Sequence, residues 1–241
     1  MNIKIWKKLF IFVLVVAILS SGITGYWSYR TAKESLEEGV IEHLVSIRDI
    51  KKKQIENYFS ERLSYTEVLA SADFFRNHLE EVSNITNKPD DSQDSAKSNK
   101  LPTQRFNKIA DIITGKMGFY DVFVIDSKGN IIQTIAKEDD LGTNLVSGKY
   151  KDTLLAKVFK RGLTGSVISD IEFYSPSKRK ISSFFAAPVT DDSGNILGVI
   201  ASQIKMNEIN KIMQERSGLG KTGETILVGH DLFMRSNTRF S

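Results

Sequence analysis

The sequence contains no cysteine, and this absence excludes several classes of site. Without a thiol the chain can form no disulfide bond, no thiolate metal site and no cysteine nucleophile. An excess of basic charge is also absent from most of the chain. Residues 1–30 contain four basic residues and no acidic residue, and these four account for the whole net charge of +4. The remainder is formally neutral, so we predict no nucleic-acid partner.

The patterns typical of catalytic sites are missing as well. Gly220-Lys221-Thr222 resembles the end of a phosphate-binding loop, but that loop needs a glycine at position 215, where the chain has Glu215. The charged run Glu138-Asp139-Asp140 is typical of a solvated loop rather than of a metal site. No spacing typical of a hydrolase or a metal site links the three histidines, which are His43, His78 and His230. We therefore predict no enzyme activity, no metal and no cofactor for this chain.

The N-terminal segment 1–30 is apolar enough to lie in a membrane. Residues 9–19 are an unbroken apolar run, and Trp6 and Trp27 flank the segment, as aromatic residues do at membrane interfaces. At about 1.5 Å per residue the two tryptophans lie roughly 31 Å apart, which matches a hydrocarbon core of about 30 Å. A signal peptide cleaved near Ser20-Ser21-Gly22 is the alternative. We predict an uncleaved anchor in the inner (plasma) membrane, with the bulk of the chain periplasmic or extracellular.

Residues 31–82 are predicted to form one long stalk helix. Their apolar residues recur at intervals of three to five, and no proline and no glycine after Gly39 interrupts them. A helix of this length normally packs along a domain and against a partner, so we expect a homodimer formed through the stalk helix. Residues 83–103 are polar and contain two prolines, which predicts a loop.

Residues 104–205 are predicted to form a module of the α+β class. Two hairpins have almost the same turn, Asp-Ser-Lys-Gly-Asn at 126–130 and Asp-Ser-Gly-Asn at 192–195 after Asp191. Between them the pattern predicts a helix at 151–161. The order of elements describes a five-stranded antiparallel sheet with helices. Its predicted strands are 119–125, 131–135, 166–174, 180–188 and 196–204, and a further helix is predicted at 105–117.

Residues 206–241 contain a predicted linker helix at 206–216 and a predicted strand at 224–229. A strand and a half is not a domain, so we expect the truncated start of a second module, poorly ordered by itself.

Three segments resemble a known family. They are residues 46–59, Asp140-Leu141-Gly142-Thr143-Asn144-Leu145, and residues 218–229 followed by Met234-Arg235-Ser236. Together they resemble the double Cache (dCache) sensory region of bacterial transmembrane receptors, which include chemoreceptors, sensor kinases and cyclases. The resemblance implies a PAS-like, membrane-distal module that binds a small molecule, and a second, membrane-proximal module that begins at 206–241.

The function implied by the resemblance is extracytoplasmic small-molecule sensing by a signal-transduction receptor, of the chemotaxis type. The sensory region of a histidine kinase or a nucleotide cyclase, or a fragment that does not signal, are the alternatives. Family members that bind amino acids carry an Arg-x-Trp-Tyr cluster after the first hairpin. Here the corresponding residues are Val146-Ser147-Gly148-Lys149-Tyr150, which does not favour an amino-acid ligand.

The ligand site is predicted from the alternation of strand faces. In the predicted strand 166–174, Asp170 and Tyr174 share one face, and the neighbouring strand supplies Ser183. Tyr150 belongs to the loop and helix that would cover this face. We predict that these four residues contact a small polar ligand, and the carboxylate favours a cation or a hydrogen-bond donor. The alternative is that Asp170 caps a turn and Tyr174 lies at a rim.

Overall fold

The computed structural model describes residues 5–86, 103–178 and 180–240. The chain divides into two units. One contains the residues up to 50 together with 217–221, and the other contains 51–216 together with 222–241. The domain boundaries predicted at 30, 82, 103 and 205 stay predictions.

Helix α1 spans Ile5–Ala70 and changes character along its length. Every residue from 5 to 46 is exposed, and this part contains a segment long and apolar enough to cross a membrane. From Lys51 onward the helix has a buried face that includes Ile55, Tyr58 and Leu69. Spacings of 3 and 11 residues are close to one and three helical turns, which keeps these side chains on one side of the helix, and this side packs against the sheet.

The prediction of one uninterrupted helix over residues 31–82 is wrong, because α1 ends at Ala70 and a second helix, α2, spans Asp73–Thr86. No glycine or proline marks the break. Packing decides it, since Phe75 and Leu79 of α2 are almost fully buried in the same core as Leu69. Helix α2 extends into the predicted loop 83–103, of which residues 87–102 lie outside the described residues. Helix α3 follows at Thr103–Gly115.

An antiparallel five-stranded sheet forms the centre of the second unit, and the predicted α+β class is confirmed. The first hairpin is β1 (Phe119–Asp126) and β2 (Ile131–Thr134). After helix α4 (Leu154–Gly162) come β3 (Val167–Ile168), β4 (Glu172–Tyr174), β5 (Lys180–Ser182), β6 (Phe184–Thr190) and β7 (Ile196–Ile204). The order across the sheet is β2-β1-β7-β6-β3, while β4 and β5 form a separate pair. Helix α5, Met206–Gln214, follows β7.

The predicted strand 166–174 is interrupted. Strand β3 ends at Ile168 and β4 begins at Glu172, although the Ser169 N–H still donates to the Phe184 carbonyl at 2.8 Å. The Ser169 hydroxyl accepts from the Phe184 N–H at 2.8 Å, and the Asp170 carboxylate accepts from the Ile171 N–H at 2.6 Å. The expected alternation is therefore lost, and the side chain of Tyr174 is buried whereas Asp170 is exposed. The predicted strand 180–188 is likewise divided between β5 and β6, with Ser183 between them.

The predicted strand 224–229 is not formed in the part of the chain that the structure describes. This region contains one isolated bridge, between Val228 and Met234.

The two predicted hairpin turns are confirmed, and they use the same hydrogen bonds. The Asp126 carboxylate accepts from the N–H groups of Lys128 and Asn130 and from the Asn130 side chain. Asp191 does the same for the N–H groups of Ser193 and Asn195 and for the Asn195 side chain. An aspartate that binds its own backbone in this way stabilises a turn without help from the rest of the fold.

The two faces of the sheet are covered differently. Val122 and Val124 of β1 and Ile200 of β7 pack into one core with Tyr58 of α1 and Phe75 of α2. One face of the sheet is therefore covered by α1 and α2.

The other face begins as a second apolar core. Phe123, Phe184 and Val199 pack there with Leu155 and Phe159 of α4. Towards the start of β1 and the end of β7 the side chains on this face become polar. The candidate site lies at this polar end of the sheet.

Gly198 allows β7 to approach β1 closely. A Cβ atom at this position would lie 2.1 Å from the Ile125 carbonyl oxygen, a backbone atom that cannot move away alone. We expect Gly198→Ala to lower the free energy of unfolding by about 3 kcal/mol, as overpacking does. Urea unfolding followed by circular dichroism measures it. Gly115→Ala is the matched control, since nothing lies within 4 Å of its Cβ position. Equal stability of the two variants would contradict this account of the β1–β7 contact.

Candidate functional site

A cleft of about 380 Å³ lies where β1, β5 and β7 meet the start of α5, and we call it the polar cleft. Two lysines and several hydrogen-bonding groups alternate with apolar side chains along its walls. Among the described residues, no aspartate or glutamate lines it. The lining residues are Tyr120, Lys180, Ile181, Ser182, Gln203, Ile204, Lys205, Met206 and Asn207. Apolar walls with a few convergent polar groups are typical of small-ligand sites.

Gln203 is the centre of the hydrogen bonds beneath the cleft. Its side chain is almost completely buried, and its amide N–H group donates to Ser182 Oγ at 2.6 Å and to Ser177 Oγ at 3.2 Å. The Ser177 hydroxyl donates in turn to Glu138 Oε2. Buried hydrogen-bonded chains of this kind hold their members in fixed positions. The floor of the cleft is therefore rigid and polar.

Tyr120 and Lys180 form one wall of the cleft. The Tyr120 hydroxyl donates to Glu138 Oε1 at 2.6 Å, and this hydrogen bond, with burial, raises the pKa of Tyr120 to about 12. Lys180 Nζ lies 4.6 Å from the centre of the Tyr120 ring and 3.4 Å from its hydroxyl oxygen. Both oxygens of Glu138 are thus bound by hydroxyl groups, whereas Lys180 lines the cleft.

A buried carboxylate, Asp140, lies behind this network. Its Oδ2 accepts from the Tyr174 hydroxyl at 2.6 Å, and its Oδ1 is buried without a hydrogen-bond partner among the described residues. Burial raises the pKa of Asp140, and burial together with this carboxylate raises the pKa of Tyr174. A buried carboxylate oxygen without a donor is uncommon and costs free energy until it gains one.

Asp121 fixes the loop that follows β2. Its carboxylate accepts from the N–H groups of Val122, Ile135 and Ala136 and from the Thr134 hydroxyl, at 2.6 to 3.0 Å. Burial raises the pKa of Asp121 to about 7 against these four hydrogen bonds, each of which lowers it. The loop pinned in this way carries Glu138 and Asp140, so Asp121 positions both.

None of the four predicted site residues lines the polar cleft, and two of them, Tyr150 and Tyr174, lie in the same core beneath α4. Tyr150 is buried in the core beneath α4, and Lys149 Nζ lies 5.0 Å from its ring centre. The ring of Tyr174 packs edge-on against Phe184 at 4.8 Å. Ser183 is fully buried, and its hydroxyl donates to the Ser169 carbonyl at 3.2 Å. That these residues contact a ligand stays a prediction.

The fourth predicted residue, Asp170, is bound by an arginine from the C-terminal segment. Arg235 Nε donates to Asp170 Oδ1 at 3.1 Å and Arg235 Nη2 donates to Asp170 Oδ2 at 2.8 Å. Arg235 Nη2 also reaches Asp231 Oδ2 at 2.7 Å. The Arg235 hydrogen bonds hold the pKa of Asp170 below its ordinary value. Because both oxygens of its carboxylate already accept hydrogen bonds from Arg235, Asp170 is poorly placed to bind a cationic ligand.

Sequence reasoning missed the residues that build the cleft. Gln203 was detectable as a bulky polar side chain near the end of a strand that is otherwise largely apolar. The interpretation of Glu138-Asp139-Asp140 as a solvated run is wrong for its last member, which is fully buried. Only Asp139 of the three is exposed. Within the described ranges, no group of three or more histidine, cysteine, aspartate or glutamate side chains could hold a metal ion.

The family model described as a Cache domain, of the dCache type, matches residues 32–237. The search of curated proteins found no match.

Solved structures with a similar fold include two bacterial sensory domains. The sensor domain of the V. cholerae histidine kinase DctB has a TM-score of 0.52 at 18% identity, covering 74% of this chain and 60% of that one. The sensory domain of the Campylobacter jejuni chemoreceptor Tlp3 has a TM-score of 0.52 at 14% identity, covering 85% of this chain and 74% of that one.

A third similar structure is the ligand-binding domain of the Pseudomonas aeruginosa amino acid chemoreceptor PctB in complex with L-Arg. Its TM-score is 0.51 at 13% identity, covering 80% of this chain and 64% of that one. At these identities the likeness shows the fold. The chain thus spans less than two thirds of the V. cholerae and P. aeruginosa domains.

The Arg235–Asp170 pair makes a prediction about pH. We expect Arg235→Gln to lower the free energy of unfolding at pH 7 by about 1 kcal/mol, a small loss because water screens a carboxylate that is 39% exposed. The pKa of folded Asp170 lies below its unfolded value, so the pair stabilises the fold above about pH 4 and stops doing so as the pH falls through the lowered pKa. Urea unfolding at several pH values should show the difference from the parent protein disappear in acid. Lys211→Gln, which removes an exposed pair with Glu208, is the control. A difference that persists unchanged to pH 2 would contradict the ionic origin.

Proposed function

This chain belongs to the Cache domain family, and from this premise we propose its function. The chain is the extracytoplasmic region of a transmembrane receptor of the chemotaxis type, and this region senses a small molecule. Cache domains are ligand-binding sensory domains. The observation that carries the proposal for this chain is the polar cleft, which combines hydrogen-bonding groups, apolar walls and a rigid floor. The sensory region of a histidine kinase is a second candidate, supported by the similar fold of a histidine kinase sensor domain.

The ligand that the cleft favours is a small molecule with an anionic group, most simply a carboxylate. Lys180 and Lys205 are charged lining residues, and no acidic side chain lines the cleft among the described residues. Ile181, Ile204 and Met206 supply apolar contact for the rest of the molecule. This proposal differs from the cationic ligand that Asp170 suggested, because Arg235 occupies that carboxylate.

The proposed location follows from helix α1. Its exposed apolar part is long enough to cross a bilayer and lies near the N-terminus, and three lysines precede or begin it. Lysines favour the cytoplasmic side, which supports a cytoplasmic N-terminus and an outward-facing Cache module.

We expect small carboxylates to raise the melting temperature of the full chain in lipid nanodiscs. The screen contains monocarboxylates, dicarboxylates, amino acids, neutral amides and simple amines, read by thermal shift. For a carboxylate that binds, Lys180→Gln should weaken the affinity measured by calorimetry by about tenfold, the loss of one charge-assisted contact.

The matched control is Lys157→Gln, an exposed lysine on α4 that does not line the cleft. It should leave the affinity unchanged. Stabilisation by amines but not by carboxylates would overturn the anionic class. An equal effect of both lysine variants would remove the cleft as the site.

The stalk supports a homodimer through an apolar stripe. Leu36, Val40 and Leu44 follow one another at intervals of four residues on α1 and are 70%, 57% and 49% exposed. Such a stripe gains free energy when a second helix covers it, and a second copy of the chain in the same membrane presents the same stripe in parallel.

Since the chain has no cysteine, single introduced cysteines can test the dimer directly. Leu44→Cys should form a disulfide-linked dimer in nanodiscs under mild oxidation. Glu42→Cys lies two residues away, on nearly the opposite side of the helix, and should cross-link roughly tenfold more slowly because of the helical period. Equal cross-linking at both positions, or none at either, would argue against a stalk dimer.

A further inference from the structure

Helix α5 begins at the polar cleft and ends at a buried lysine of α1. Its first two residues, Met206 and Asn207, line the cleft. One residue, Lys205, separates the helix from β7, which carries Gln203. A displacement of the end of β7 at the cleft wall therefore displaces the start of α5 as well, because a single residue joins them.

The C-terminal end of α5 is held by Lys51. The Lys51 ammonium group donates to the Ile212 carbonyl, to the Glu215 carbonyl at 3.3 Å and to Glu215 Oε2 at 3.1 Å. The last carbonyl groups of a helix have no partner within it and carry partial negative charge, so a cation at this position is favourable. Because the Lys51 side chain is only 6% exposed, water is a poor substitute for these acceptors.

The body of α5 is seated in the same core as α1. Ile209 and Met213 are buried together with Ile55 and Tyr58. Apolar packing of this kind transmits displacement, since close-packed interiors have little free volume. Lys51 adds a directional contact at the end of the helix.

We propose that α5 links the polar cleft mechanically to α1, and that Lys51 is the positioning residue that couples them. This inference rests on the proposed sensory function. Lys51 lies on the same helix, α1, as the candidate membrane-spanning segment. The two neighbouring lysines, Lys52 and Lys53, are exposed and serve as internal comparisons.

The test replaces the ligand with a substitution that fills the cleft. Asn207→Trp places a large side chain at an exposed position of the cleft wall. Hydrogen–deuterium exchange in nanodiscs is followed in two regions, residues 51–58 of α1 and residues 206–214 of α5. Each is measured in the parent chain, in Lys51→Met and in the matched control Lys53→Met, with and without Asn207→Trp.

The expected result is that Asn207→Trp changes amide exchange in both regions of the parent chain and of Lys53→Met, by on the order of fivefold. In Lys51→Met the change in 206–214 persists and the change in 51–58 is lost. The same change in 51–58 with and without Lys51 would overturn the coupling role. No change in 51–58 of the parent chain would overturn the link itself. Neither outcome depends on ligand binding, so a failure here is distinct from a failure of the ligand screen.

Discussion

The structure depends on the burial of both faces of the β1–β7 pair. Alternate side chains of these two central strands enter two different cores, one beneath α1 and α2 and one beneath α4. A register slip of a single residue would exchange the two faces, so the register is strongly specified. The close approach of Gly198 to the Ile125 carbonyl oxygen allows only a narrow set of strand spacings. The same register brings Gln203 to the floor of the polar cleft and sets where α5 begins, so the site follows from the packing of the sheet.

The sequence was sufficient to predict those elements that local physics determines. The two hairpin turns are an example, because Asp126 and Asp191 bind backbone groups only two and four residues away. Periodicity was sufficient for the long helix as far as Ala70, the order of elements was sufficient for the α+β class, and the resemblance to the dCache family identified the fold. The helix at 206–216 also agrees with the observed Met206–Gln214 to within two residues.

The rest depended on contacts between residues far apart in the chain. The break between Ala70 and Asp73 has no glycine or proline, and the burial of Phe75 and Leu79 produces it. Asp170 was placed on a continuous strand, but its pairing with Arg235 spans 65 residues and has no signal in either local sequence. Asp140 was interpreted as solvated because its neighbours are charged, whereas Tyr174 and the loop pinned by Asp121 enclose it. The alternation of side chains along a strand predicts which residues share a face only where the strand is uninterrupted.

The twin aspartate turns also imply an order of assembly. Each turn closes on itself over a few residues, so both hairpin turns can form early in folding. The strands that must pair at the centre, β1 and β7, lie about 70 residues apart in the chain, and closing such a distance is slow compared with local contacts. No covalent cross-link shortens that search in a chain without cysteine. The polar cleft, made from both of these strands, is therefore completed only when the central pairing is complete. Before the central strands have paired, the polar cleft does not exist, and the ligand proposed for it would have no site to bind.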